Sequence, residues 1–559
     1  MNIEKLRIVL IAAILAVGLL IWDQWLMDYP AATTPAATQP IATANNFSAA
    51  LPPSTTVTTV TSTTAATPTT TTAVPITSTK LVQVHTDVLN VTIDTLGGNI
   101  VNVSLPKYPT AVNQPDVPFT MLNNDPKTLY VAQSGLLSQL GPDTAQGQAT
   151  YAATQSNYTL SADQNDLDVK LTWQNKNGLA ITKSFHFQRG SYLIPVSYQI
   201  TNNTNTTWTG QFYAQIQRKK VAPPKTGPFS ISNTYLGAAI SSPDKRYEQV
   251  SFNKMDNQDL NRTVPDGWIA MIQHYFLSAW IPAENETHQF YSKALPDDIY
   301  TIGMIGTPLQ VAPGQTKEIG SKIYIGPEVT SILKNIAPGL DLTVDYGVLW
   351  FISMAIFSLM KHIYNFVGNW GWSIVLVTLI IKLVFYKLSE TSYRSMASMR
   401  KLQPKIQSLK ERFGDDRQKL TQATMELYKN EKINPLGGCL PMLVQIPVFL
   451  ALYWVLVESV ELRQAPFILW IHDLSVKDPY YVLPLLMGLT IFIQQKMSPT
   501  SLDPTQAKVM MMLPIIFTAL FISFPAGLVL YWVVNNSLSI IQQWYIMRRV
   551  EGSPAKSKK

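Results

Sequence analysis

The stretch WGWSIVLVTLIIKLVFY, residues 370–386, is apolar except for a single charge, Lys382. It is long enough to cross a bilayer as one helix. An ammonium held near the middle of such a helix costs about 2.5–3.5 kcal/mol on insertion scales, so a lysine there predicts a polar or watery surrounding and a function. The plainer reading is a snorkelling side chain, because the apolar run reads on to Leu388 and Lys382 stands only about six residues, about 9 Å at 1.5 Å per residue, from that end. Lys387 fits that role better.

Outward from this stretch the 559-residue chain divides into parts suited to different solvents. Further apolar runs at residues 440–457, 481–494, 509–524 and 527–545 complete a set of five with the first. The run at 348–360 is too short to span and ends in Lys361 and His362, so a helix lying in the interface is expected over 345–368. Residues 387–434 carry eleven Lys or Arg against six acids, and the tail after Ile546 carries five against one. Both segments are therefore expected on the cytoplasmic side. Near the amino end, residues 6–22 form another apolar run, with Lys5 and Arg7 at its start and Asp23 and Asp28 after it. A cleaved signal peptide is the rival reading, but bulky Trp22 and Trp25 stand where small residues would mark cleavage. The expected count is six transmembrane helices with both termini cytoplasmic.

Residues 30–79 hold no charge and are dominated by Thr, Ala and Pro, a composition that cannot offset chain entropy by burial. They read as a disordered tether between an anchor at 1–29 and a folded domain at 80–341; a mucin-like stalk is the alternative. That domain alternates apolar and polar residues, as in Leu89, Val91, Ile93, then Gly97 and Gly98, then Val101, Val103, Leu105. A second pair runs Leu167, Val169, Leu171, Trp173 and returns after Asn177 and Gly178 through Leu179, Ile181, Phe185 and Phe187. The pattern predicts a large antiparallel β-sandwich outside the cytoplasm. It is large enough to need no disulfide, and Cys439 is the only cysteine.

Within the basic segment, Met396, Met399, Leu402, Ile406, Leu409 and Phe413 fall on one helical face, and Gly414 with Asp415 reads as a stop and a cap. A cytoplasmic helical hairpin over 389–434 follows. It is either simply solvated or suited to anionic lipid head groups or ribosomal RNA.

Polar residues in the apolar runs gather toward the cytoplasmic side: Thr378, Gln445, Thr490, Gln494, Asn535, Asn536, Ser539, Gln542 and Gln543. Facing one another around Lys382, they would line a hydrated half-cavity closed outward by apolar residues; as structural glue, each would only bond a neighbouring helix. A cationic half-cavity suits a hydrophilic piece of polypeptide drawn partway into the bilayer, with Tyr531 and Trp532 as apolar contacts for the guest. No catalytic arrangement and no metal-spaced pair stands out, so neither an enzyme nor a metal or cofactor protein is expected. A small-solute transporter or channel is the alternative, although paired repeats with broken helices are missing.

Four strings sharpen this reading: LQPKIQSLKERFGDD (402–416), NPLGGCLPMLVQIPVFLALYW (434–454), ELRQAPFILWIHDLS (461–475) and FPAGLVLYW (524–532). In this order and spacing, residues 345–549 resemble the YidC/Oxa/Alb membrane-protein insertases of the Gram-negative YidC type. The resemblance implies an inner-membrane insertase and chaperone with a periplasmic β-super-sandwich, a core over 370–546 and a basic tail at 547–559. It also implies nascent membrane proteins, ribosome, Sec translocon and membrane lipids as partners, and no cofactor. The family's groove arginine falls on Lys382, and its polar partners fall on Thr378, Gln445 and Ser539. Lysine keeps the charge and loses the planar fork. Where the family often has a proline after the second span, this chain has Lys387.

Overall fold

The computed structural model describes residues 81–221, 235–414, 416–431, 440–497 and 504–551. The expected anchor at 1–29, the tether at 30–79, Cys439 and the tail beyond Glu551 lie outside them.

From Leu81 to Pro327 the chain forms two sheets of eleven and nine strands, antiparallel but for one short pairing of Gln83–His85 with residues 157–159. Strand β1 (Asn90–Asp94) turns at Gly97 and Gly98, both at positive φ, into β2 (Asn99–Ala111). Val91 pairs with Val103 as the alternation predicts, but the register shifts between Thr92 and Ile93, and Ile93 pairs with Ile100. The bulge corrects the expected core set, because it turns Ile100 inward in place of Val101. Strand β3 (Gln114–Leu122) pairs with β2, and β4 (Tyr130–Leu137) lies in the same sheet.

In the other sheet β5 (Asp166–Gln174) and β6 (Leu179–Gln188) pair Leu167 with Phe187, Val169 with Phe185 and Trp173 with Ile181. Opposite Leu171 stands Lys183, which occupies an inward position and is wholly buried. Its ammonium donates to the backbone carbonyls of Gly97 (3.1 Å) and Ser134 (2.9 Å) and lies over the rings of Phe185 and Tyr198. Burial pushes the Lys183 pKa down, against the pull of Asp143, whose own carboxyl is pushed up by the same loss of water. Gly98 makes room for it, since a Cβ there would lie 2.8 Å from the Lys183 Cδ.

Among the described residues, nine long helices follow the sandwich. Helix α1 (Trp350–Val367) runs well past Met360, so Lys361 and His362 do not end it. It buries Ser353, Ile356, Phe357 and Met360 at helical spacing and exposes Trp350, Phe351 and Met354. Helix α2 (Trp370–Val384) starts where the Asn369 side chain accepts from the Trp372 N–H. It stops at Val384 and bends by 67° into α3 (Tyr386–Lys401), so the apolar run expected to continue to Leu388 is not one straight helix.

The chain breaks again at Leu402 before α4 (Gln403–Phe413), with Pro404 in its first turn, where the missing N–H is tolerated. The expected face from Met396 to Phe413 is therefore split between two helices. Asp415, expected as a cap, lies outside the described residues; Asp416 caps α5 (Arg417–Asn430), accepting from the Lys419 N–H at 3.1 Å.

Helices α6 (Leu440–Glu458), α7 (Val482–Met497), α8 (Pro504–Phe521) and α9 (Ala526–Glu551) complete the bundle. Among the described residues no single helix is long and apolar enough to cross a membrane; the bent pair α2–α3 qualifies jointly by length and composition. Helix α9 is long, but Asn535, Asn536, Gln542 and Gln543 interrupt its apolar sequence.

The sandwich meets the bundle through a hairpin of β7 (Ile269–Gln273) and β8 (Phe276–Pro282), whose turn is His274 and Tyr275. The His274 Nε2 sits 3.0 Å from the Val457 carbonyl at the end of α6. Nearby, the Tyr346 hydroxyl lies 3.3 Å from the Ser459 Oγ.

Candidate substrate groove

Lys382 occupies the last turn of α2, where a cation also meets the negative end of the helix dipole. It is half-buried, and its ammonium donates to the Ser539 Oγ of α9 at 2.7 Å and, at 3.5 Å, to the Gln445 Oε1 of α6. The Gln445 amide in turn donates to the Asn535 Oδ1 and, at 3.4 Å, to the Tyr531 hydroxyl. Asn535 and Ser539 are four apart on α9 and share a face, and Ser539 also donates to the Asn535 carbonyl at 2.8 Å. Three helices thus bring one ammonium, two amides and two hydroxyls together, with no carboxylate among these contacts.

Beside them is a crevice of about 20 Å³ lined by residues that include Lys382, Phe385, Ser389 and Gln445. That is room for about one water. In this structure the expected hydrated half-cavity is a narrow slot.

Two family models match in succession, one for the YidC periplasmic domain over residues 81–359 and one for the 60Kd inner membrane protein over residues 362–553. The membrane protein insertase YidC of Legionella pneumophila (strain Corby) is 52% identical over 555 residues, covering 98% of each chain. That of Pseudomonas entomophila (strain L48) is 48% identical over 565 residues, covering 99% of each. The chain belongs to the YidC membrane-protein insertase family. A crystal structure of an active YidC insertase with its first transmembrane domain resolved aligns over 84% of this chain and 93% of its own, at 18% identity and a TM-score of 0.36.

Not every residue expected in the groove of this YidC-family chain lies beside Lys382. Thr378 is buried and donates to the Ile374 carbonyl of its own helix at 2.6 Å. Asn536 points to the other side of α9, where its amide donates to the Thr490 Oγ1 of α7 at 3.4 Å. One turn along α7 from Thr490, Gln494 also has a partner. Seven residues after Asn536, Gln543 donates to the Met497 carbonyl at 3.2 Å. The polar stripe of α9 therefore divides into a groove face, Asn535 and Ser539, and a seam with α7, Asn536 and Gln543. Tyr531 is buried against the ring of Phe449. Trp532 is half-buried, edge-on to Phe449 and Phe521, and its indole N–H has no hydrogen-bond partner.

Two further residues stand beside Lys382 that are not among those expected from the sequence. Tyr393 of α3 brings its hydroxyl within hydrogen-bonding reach of Ser539, the same oxygen that Lys382 engages, and Ser389 of α3 lines the slot. The 67° bend after Val384 folds α3 back over the groove, and nothing in a helical period signals it.

Proposed function

We propose that this chain inserts membrane proteins from the cytoplasmic side of the inner membrane, alone or with the Sec translocon, through a groove whose working cation is Lys382. In this reading six helices span the membrane, both termini face the cytoplasm, and the sandwich of residues 80–341 is periplasmic. The observation that carries it is the bonding of Lys382. Its ammonium is held by a serine and a glutamine side chain, partners that a hydrophilic polypeptide can replace one for one without leaving a carboxylate unpaired. The apolar part of the guest would then pass from the slot to lipid along exposed Leu383 and Val384. Movement of α3, which covers the slot, would admit the guest. Basic residues of the 389–434 segment suit a ribosome or anionic lipid at the entrance. Catalysis is not part of this reading.

Photocrosslinkers placed singly at positions 378, 382, 445 and 532 during synthesis of a short membrane protein test it. Capture of the nascent chain is expected at 382 and 445 and weakly or not at all at buried 378. Capture confined to 532, or absent throughout, would refute the groove.

A further inference from the structure

The loop that follows α6 is fastened to the sandwich by one arginine. The Arg463 guanidinium donates to the Pro109 carbonyl at 2.8 Å and to the Thr110 carbonyl at 3.3 Å, both near the tip of the β2–β3 hairpin. It also lies over two aromatic rings, 5.5 Å from Phe119 and 5.6 Å from Phe276, which stack on each other at 4.4 Å. Gln464 adds a bond from its side-chain amide to the same Pro109 carbonyl at 3.0 Å. Its own backbone N–H is held by Asp473 at 3.1 Å. Carbonyls and ring faces together are a site for a planar, weakly hydrated cation with several fixed donors, which is arginine and not lysine.

This attachment bears on the groove because it lies just past the end of α6. Its partner attachment is His274 on the Val457 carbonyl, from the hairpin whose next strand begins with Phe276. The two fasten the chain on either side of the short turn Val460–Leu462, whose Val460 and Leu462 are buried. Gln445 stands twelve residues before Val457, about 18 Å along the same helix. Between them is Pro447, which removes one bond of the helical ladder just beyond Gln445. Fixing the far part of a helix weakened there steadies the glutamine on its other side.

We infer that Arg463 is a positioning residue for the groove: by pinning the loop after α6 to the β2–β3 hairpin, it holds Gln445 in place beside Lys382. The inference rests on the groove reading above, and its test separates the two. Full-length protein carrying Cys439→Ser is placed in nanodiscs, with spin labels on cysteines at exposed Val112 and Leu469 reporting the attachment. Capture of a nascent chain by a photocrosslinker at 445 reports the groove.

Arg463→Met keeps an apolar stem over the rings and loses the carbonyl bonds, so folding is preserved. It should broaden the label distance distribution and lower capture about fivefold, the scale of one or two lost charge-assisted hydrogen bonds. Arg463→Lys, which keeps the charge and at most one carbonyl bond but loses the planar fork, should recover only part of both signals. An unchanged distance distribution in Arg463→Met overturns the inference. So does a broadened distribution with undiminished capture, which would leave Arg463 a brace of the sandwich alone. Lack of capture in the parent protein would instead sink the groove reading, whatever the labels report.

Discussion

The two halves of the molecule each bury a lysine, and they bury it differently. Lys183 in the sandwich is fully enclosed, held by two backbone carbonyls and two aromatic faces, with buried Asp143 as its counter-charge. Backbone acceptors cannot move aside without undoing a strand or a turn. Lys382 in the bundle is half-buried and held by two side chains from two other helices. Those side chains can rotate away at the cost of one rotamer each. The first arrangement is fixed by the backbone, and the second is held by side chains alone.

The largest expected effects break this contrast from the bundle side. Lys382→Glu should lower insertion of substrates with charged translocated tails by about 10- to 100-fold, equivalent to about 1.4–2.8 kcal/mol, and leave thermal unfolding of the sandwich unchanged. Lys382→Arg should insert normally. The readout is insertion in cells depleted of the native protein, and a normal rate for the glutamate variant would count against the groove.

Lys183→Met should do the opposite. Leaving Asp143 buried without its counter-charge costs about 3–5 kcal/mol, read as a lower unfolding temperature of the sandwich. Surviving folded protein should still insert. If stability were unchanged, the enclosure of Lys183 would not be structural.

A smaller effect concerns pH. Glu328 is buried at the end of the last sandwich strand, with one carboxyl oxygen lacking a hydrogen-bond partner. Its pKa is pushed well above the ordinary carboxylate range by loss of water first, then by Glu458 and Asp345. A raised folded pKa gives stability that is complete below the unfolded value and lost as pH rises through the folded one. The sandwich should therefore melt at a lower temperature as pH rises above about 4.5. Glu328→Gln should flatten that slope, and an unaltered slope would show that Glu328 is not its source.

The smallest effect is expected of Tyr393→Phe, which removes one hydroxyl from the Ser539 cluster. A loss of about two- to fivefold in insertion is expected, on the scale of one hydrogen bond. No loss would remove α3 from the groove.

Alternation made the strands legible because one face of each is buried, and the hairpin from Leu167 to Phe187 pairs in the register its sequence suggests. The same alternation hides Lys183, a polar residue at an apolar position whose carbonyl partners come from a turn and a strand distant in sequence. It also misses the bulge that substitutes Ile100 for Val101. In the bundle, Lys382, Gln445 and Ser539 were legible because an apolar run makes every polar residue conspicuous. Their grouping was less so. Asn535 and Asn536 are neighbours in sequence, yet a helix turns by about 100° between them, so one faces the groove and the other faces α7. The bend after Val384 and the break at Leu402 follow from packing and from Pro404, not from hydrophobic period.

The contrast between the two lysines comes down to whether water reaches Lys382 from one side only. Lys382→Cys in a Cys439→Ser background, treated in sealed inverted and right-side-out vesicles with a membrane-impermeant thiol reagent, measures this directly. Labelling is expected from the cytoplasmic face and none from the opposite face. Labelling from neither face would contradict access of water to Lys382.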